Sequence, residues 1–346
     1  MSLITGVSDF FGLDLGTTAI RLVQLRGNGT AKQLVKYAHI PIDSKLAMSD
    51  AAADQQRVMQ VVKELLGQAR LTTRNVAVGI PSSKVFTTVV DIDRLSPSEL
   101  AKSIRFQADS LIPTPLPESK IDWAVTGDSP KDKTKVEVLL TSVTNDFIEK
   151  RLDALEGIGL NVIAFEPDNL ALARALTAGN LTTPQMVIDV GHKSTDIVIT
   201  QNGAPRLTRS IPTGSEAIVR SAMQNLNIEE KQAEQFVFKF GLSPTKLEGQ
   251  IYHAILNTVD GIVAEIDKSI KFFQTRYVDA KLDRIIVTGG ASTLPEFPSY
   301  VANKFTINVE IGNAWRNISY PPDRQNELMA ISNSFGVAAG LAEREE

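Results

Sequence analysis

The sequence predicts an α/β protein in which two related domains face one cleft, with an α+β subdomain inserted into the first. Three observations carry this. At 346 residues the chain is about twice a typical domain. Two strand-rich segments, opening at Asp14 and at Asp189, repeat one plan about half a chain apart. Between the first of them and its closing helix lies a further block of strands and helices. The expected limits are a first domain at 1–184 with its insertion at about 84–160, and a second at 185–328 with a smaller subdomain at about 225–280. A C-terminal helix at 329–346 is expected to pack back on the first domain.

The first repeat reads Phe11-Gly12-Leu13-Asp14-Leu15-Gly16-Thr17-Thr18, then a strand from Ala19 to Leu25, a turn at Gly27-Asn28-Gly29 and a strand near Leu34 to Ile40. The second runs Met186-Val187-Ile188-Asp189-Val190-Gly191, through His192-Lys193-Ser194, into Thr195 to Thr200, Asn202-Gly203, and Arg206 to Ile211. Each is an apolar strand, an Asp-x-Gly loop and a return strand whose turn residues tolerate positive φ.

Helices are legible between the hairpins. Ser96-Pro97-Ser98-Glu99 supplies an N-cap, a first-turn proline and a capping-box acid, ahead of an apolar face of Leu100, Ile104, Ala108 and Leu111. The longest helix carries Ile251, Ile255, Val259, Ile262, Ile266, Ile270 and Phe273 in steps of three and four. Shorter helices are expected at Asp54 to Gln68, Asn145 to Leu155, Ser215 to Met223 and Asn227 to Gly241. Val85 to Gly159 reads as the insertion, with a polar hairpin tip at Gly127 to Thr134.

Composition excludes several classes. Hydrophobic residues at 43% and charged residues at 22% fit an ordinary globular chain rather than a disordered or membrane-embedded one. The net charge of -4 gives no bulk case for nucleic acid, and Lys131, Lys133 and Lys135 alternate with Asp132 and Thr134 as a solvated tip. There is no cysteine, and His39, His192 and His253 lack ligand spacing. Met1 to Phe11 has no signal-peptide pattern, and no apolar run is long enough to span a bilayer, so membrane association is expected to go through a partner, without direct insertion.

Backbone amides at a tight glycine turn bind phosphate oxygens, and small hydroxyls such as Thr17 and Thr18 add donors. Two such turns grip one polyphosphate from opposite sides, and Asp14 and Asp189 facing the same space suit a hydrated magnesium ion. A third element, Arg284 to Ser292, is a strand entering the turn Gly289-Gly290-Ala291, where missing side chains let backbone approach a base or phosphate. Leu294-Pro295 is expected to start the next helix.

In order, Asp14 to Thr18, Ala164 to Asp168, Asp189 to Thr195, Val287 to Ser292 and Phe335 to Leu341 resemble the five motifs of the actin-like ATPase superfamily: two phosphate loops, an adenosine loop and two connecting helices. Within it, the chain is similar to the PilM family of type IV pilus assembly. That closer likeness rests on the Ser98-Glu99-Leu100 helix ending at Ile112-Pro113, on Gly157-Ile158-Gly159-Leu160 leading to Glu166, and on Gly340-Leu341-Ala342. It covers about residues 10 to 342. The resemblance implies an actin-like ATPase fold and an ATP site with magnesium. Its contacts would come from Gly16, Thr17, Thr18 and Arg21, from Gly191, His192, Lys193, Ser194, Thr195 and Gly214, from Glu234, and from Gly289, Gly290 and Ala291, with the metal near Asp14 and Asp189. Glu166, before Pro167, has two readings: an acid orienting the attacking water, or a charge favourable at a helix N-terminus. Val237 stands where nucleotide-binding relatives commonly carry lysine, and Pro212-Thr213-Gly214-Ser215 has one glycine where they have two.

The implied partners are the cytoplasmic N-terminal tail of a PilN-like inner-membrane protein and the pilus motor ATPases, with the chain cytoplasmic at the inner face of the membrane. Val85 to Val90 is the candidate wall of the peptide groove. Two other functions of the superfamily are weighed. A small-molecule kinase needs an acceptor pocket and a positioned base, for which no motif is present. An FtsA-like division protein ends in a basic amphipathic helix, whereas this sequence ends Ala342-Glu343-Arg344-Glu345-Glu346.

Overall fold

A computed structural model describes residues 9–27, 29, 31–179 and 181–345. Residues 1–8 of the segment read for a signal-peptide pattern, Asn28 of the first predicted turn, and Glu346 lie outside the described residues.

The first hairpin folds as β1 (Phe11–Leu15) and β2 (Ala19–Arg26), joined by β3 (Gln33–Pro41). After α1 (Ser44–Met48) and α2 (Ala52–Ala69), β4 (Asn75–Ile80) lies parallel to β1. The insertion follows, with β5 (Phe86–Asp93), α3 (Pro97–Leu111), β6 (Ser119–Asp128), β7 (Lys135–Thr144) and α4 (Asn145–Glu156). The chain returns through β8 (Asn161–Pro167), parallel to β4, and α5 (Asp168–Leu176). The second half runs β9 (Gln185–Val190), β10 (Thr195–Gln201), β11 (Ala204–Ile211), α6 (Ser215–Leu226), α7 (Glu230–Phe240), α8 (Gln250–Arg276), β12 (Arg284–Thr288), α9 (Phe297–Phe305), β13 (Asn308–Ile311), α10 (Gln325–Ile331) and α11 (Gly336–Ala342).

The two large sheets have one topology. Their orders are β3-β2-β1-β4-β8 and β11-β10-β9-β12-β13, each an antiparallel three-strand meander continued by two parallel strands. The repeat read from the two Asp-x-Gly segments is therefore a repeat of folds. At Asn202-Gly203 both residues have positive φ, 55° and 71°, as a two-residue hairpin turn requires. The insertion forms its own sheet, β5-β7-β6, closed on one face by α3.

Each layer has an apolar reason to form. Phe11, Leu13, Val62, Val78 and Phe165 are buried between the first sheet and α2 and α4. The stripe from Ile251 to Phe273 on α8 is buried against β9, β10 and β12, at ~2 kcal/mol for each fully buried aliphatic side chain. Leu100, Ile104 and Ala108 bury against Val138 and Leu140, while Leu111, expected on that face, is 37% exposed at the last turn. The capping box is present, with Ser96 N–H donating to Glu99 at 3.2 Å. A further core of Leu172, Val187, Val198, Trp315 and Phe335 joins the two halves. There α11 crosses α5 so closely that a Cβ on Gly340 would lie 1.9 Å from the Ala171 carbonyl oxygen. Leu294-Pro295 does not begin a helix. The Pro295 carbonyl instead accepts from Leu242 N–H, and α9 starts at Phe297-Pro298.

Candidate functional site

The two halves meet at a cavity of about 360 Å³. It is lined from the first half by Asp14, Gly16, Thr17, Thr18 and Arg21, and from the second by Asp189, Gly191, His192, Lys193, Ser194, Glu234, Gly289 and Gly290. The sequence-predicted residues from both hairpins, α7 and the Gly-Gly turn are thus brought to one space.

The loops are held by their own backbone. In the first, the Arg21 guanidinium donates to the Ala19 carbonyl at 3.3 Å and pairs with Asp14 at 3.4 Å. In the second, Ser215 and Glu216 N–H at the start of α6 donate to the Gly191 and His192 carbonyls at 2.9 and 3.0 Å. A Cβ on Gly214 would lie 2.5 Å from the Gly191 oxygen, so the single glycine of that turn is used for loop-on-loop packing. Gly289, at φ 81°, leaves room for a carboxylate: its Cβ would sit 2.0 Å from Asp189 Oδ1. The Gly289 N–H donates to the Asn333 carbonyl at 2.9 Å, tying this turn to the segment before α11.

Several expected residues stand elsewhere. Thr195 is buried and gives its hydroxyl to the Thr213 carbonyl at 2.7 Å, so it fixes the loop and does not line the cavity. Gly214 packs behind the loop, and Ala291 is buried in the second-domain core. Glu166 is buried outside the cavity, where Arg174 pairs with it and Arg344 donates to it at 3.0 Å. These guanidiniums outweigh burial and hold its carboxyl below the usual range. Val237 is buried in the second-domain core and does not line the cavity, which α7 reaches with Glu230, Glu234 and Phe238.

Sequence reasoning missed Asp168 and Asp196. Asp168 opens α5 and lines the cavity, with its Oδ1 buried and without a hydrogen-bond partner. Gly79 makes space for it, since a Cβ there would lie 2.3 Å from that oxygen. Burial first, and then Asp14, Asp196 and Asp189, push Asp168 well above the carboxylate range. Burial also raises Asp14, in spite of Arg21. Burial with Asp196 and Asp14 takes Asp189 to about 7, and burial takes Asp196 to about 6. Lys193 does not relieve this, being paired with Glu216 at 2.6 Å. Such a donor set suits a hard cation held partly through water. Among the described residues no three carboxylates or histidines converge to hold an ion directly. The signal for Asp196 was present: it follows Asp189 by the spacing with which Arg21 follows Asp14.

A family model described as type IV pilus assembly protein PilM matches residues 12–346. The chain belongs to the PilM family. Among solved structures it is similar to a PilM–PilN type IV pilus biogenesis complex, with 25% identity and a TM-score of 0.82 over 97% of this chain and 98% of that one. It shares the fold of the ethanolamine utilization protein EutJ from Carboxydothermus hydrogenoformans, at 16% identity and TM-score 0.56 over 99% and 92% of the two chains. It likewise shares the fold of MreB5 of Spiroplasma citri bound to ADP, at 13% identity and TM-score 0.58 over 96% and 95%. This is the actin-like ATPase fold, two related domains around a cleft with an inserted subdomain. Among the described residues no helix of this PilM-family chain is long and apolar enough to cross a membrane.

Proposed function

We propose that the chain is an ATP-binding scaffold of type IV pilus assembly that docks the cytoplasmic tail of a PilN-like inner-membrane protein and links it to the pilus motor. The observation that carries this is the convergence of two Asp-x-Gly loops on one cavity, in a chain similar over its whole length to a PilM–PilN complex. Backbone amides and hydroxyls of Gly16 to Thr18 and Gly191 to Ser194 take the phosphate oxygens. Glu234 and the Gly289-Gly290 turn border the nucleoside. Asp14 and Asp189 hold magnesium through water, and the ion supplies the positive charge that lets a polyphosphate lie beside these acids. The orphaned Asp168 oxygen fits such a hydrated ion.

The tail has a groove of its own in this reading. Between α2 of the first domain and α4 of the insertion runs a hollow of about 830 Å³, lined by Met59, Phe147, Arg151 and Ile158 among others. The expected wall, Val85 to Val90, does not line this hollow: Val85 packs on the first-domain core and Phe86 and Val90 on the insertion's core, while Val85 to Thr87 border a separate hollow with Arg209 and Pro212. The test is calorimetry of the purified chain with the PilN-like tail peptide of the same organism, alongside chromatography of any copurified nucleotide. No binding at ~100 μM, an affinity weaker than about -5.5 kcal/mol, overturns the docking role.

A further inference from the structure

The groove between α2 and α4 has an apolar side, with Gln55 and Arg151 as half-buried polar groups in its lining. Met59 is buried and Phe147, Ala154 and Ile158 are half-buried. Arg151 stands among them, its guanidinium 5.6 Å from the centre of the Phe147 ring. Among the described residues the Arg151 guanidinium has no hydrogen bond and no ion pair. Other half-buried arginines of the chain do find carboxylates: Arg174 meets Glu166, and Arg276 meets Glu137 and Asp91. Burial lowers the pKa of Arg151, and Asp50, the carboxylate acting most strongly against that, is an exposed residue of the rim.

A guanidinium carries five N–H donors in a planar fork and stays charged in a protein. Partly removed from water and without an acceptor, it costs free energy that a docked acceptor recovers. The rim charges count for less, because Lys63, Lys84, Asp50 and Asp153 are exposed to solvent and screened. The Phe147 ring beside the guanidinium limits its orientations. A carboxylate matches that fork with two parallel hydrogen bonds.

We propose that Arg151 is the polar anchor of this groove, receiving a side-chain carboxylate of a docked extended peptide while Met59, Phe147 and Ile158 take the aliphatic side chain next to it. The assignment rests on the reading of the groove as the docking site of the PilN-like tail.

The probe is a synthetic peptide of that tail, and the same peptide with each Asp and Glu changed to Asn and Gln, both titrated into the full chain by calorimetry. Arg151→Met is expected to weaken the acidic peptide about tenfold or more and the neutral peptide about twofold or less. Lys63→Met on the rim is expected to change either by less than about threefold. The ATP-induced rise in melting temperature reports that each variant is folded. If Arg151→Met does not fold, Arg151→Lys, which keeps the charge and loses the fork, is expected to weaken the acidic peptide about fivefold. Unchanged affinity in a folded Arg151 variant overturns the anchor while leaving docking in place. Equal affinity of the unmodified protein for both peptides, or tight binding of a tail that has no acid, overturns the carboxylate. Failure of the unmodified protein to bind either peptide overturns the docking reading itself.

Discussion

Asp196 lies directly across the β9–β10 ladder from Asp189, at the place where Arg21 lies across from Asp14 in the first hairpin. Directly opposed residues of an antiparallel pair share a face of the sheet. The repeat has thus kept its backbone and exchanged an ion pair for two acids, and with Asp168 beside them the cavity calls for a cation.

Relieving that repulsion is expected to stabilise the protein when no nucleotide or metal is bound. Asp196→Asn should raise the unfolding free energy by about 1 kcal/mol in EDTA, measured as the thermal midpoint. A variant less stable than the parent under those conditions would mean that the Asp189–Asp196 pair is not repulsive in the folded chain.

Magnesium ATP should raise the melting temperature, because a ligand that binds only the folded state stabilises it by about 2.7 kcal/mol at a hundred times its Kd. Asp14→Ala should shrink the rise, and ATP without magnesium should give little, since the polyphosphate then meets Asp14, Asp189 and Asp196 unshielded. An equal shift with and without magnesium would contradict the role given to the ion.

Much of this site was legible because its signals are local. The Asp-x-Gly loops, the Asn-Gly turn and the α8 stripe are each written within a few residues, and the structure keeps them. Glu166 shows where locality ends. Its motif, Glu-Pro-Asp before a helix, suggested a site acid. Its partners are Arg174, two turns into α5, and Arg344, which arrives from beyond α11. Two positions on, Asp168 occupies the cavity instead. Strand alternation and the helix start decide which acid faces the cleft, and neither can be read from the motif. Arg151 was illegible for the same reason, since only the packing of α4 beside α2 makes its lack of a partner visible.

The insertion is fastened to the second domain by a buried ionic junction, which the sequence did not signal. Glu137 of β7 is 1% exposed and takes Arg206 of β11, Arg276 at 2.7 Å and the Tyr277 hydroxyl at 2.7 Å. Among the described residues, removing the acid leaves the buried Arg206 without an ionic partner and Arg276 with Asp91 alone. Glu137→Ala should therefore cost ~3–5 kcal/mol. Asp91→Ala, at the solvent-touched edge of the same cluster, should cost ~1 kcal/mol or less. Equal losses in denaturant unfolding would deny Glu137 its central place.

Glu343, just after α11, gives the chain a pH dependence of definite sign. It is buried, with Oε2 accepting from Asn317 at 3.2 Å and Oε1 without a partner. Burial pushes it up to about 7, against Asn317, Lys32, Arg174 and Arg316, which act the other way. An unfolded glutamate titrates near ~4.3. Between those values the folded protein keeps a proton that the unfolded chain has released, so this contribution to stability is complete below ~4.3 and is lost as the pH rises through about 7. Glutamine mimics the protonated acid and can still accept from Asn317. Glu343→Gln should come within a few tenths of a kcal/mol of the parent in thermal unfolding near pH ~4 and exceed it at pH ~8, with the gap opening between ~4.3 and about 7 and level above that. A gap that stays constant with pH would assign the effect to packing, and the absence of any gap at pH 8 would mean that Glu343 ionises without cost where it sits.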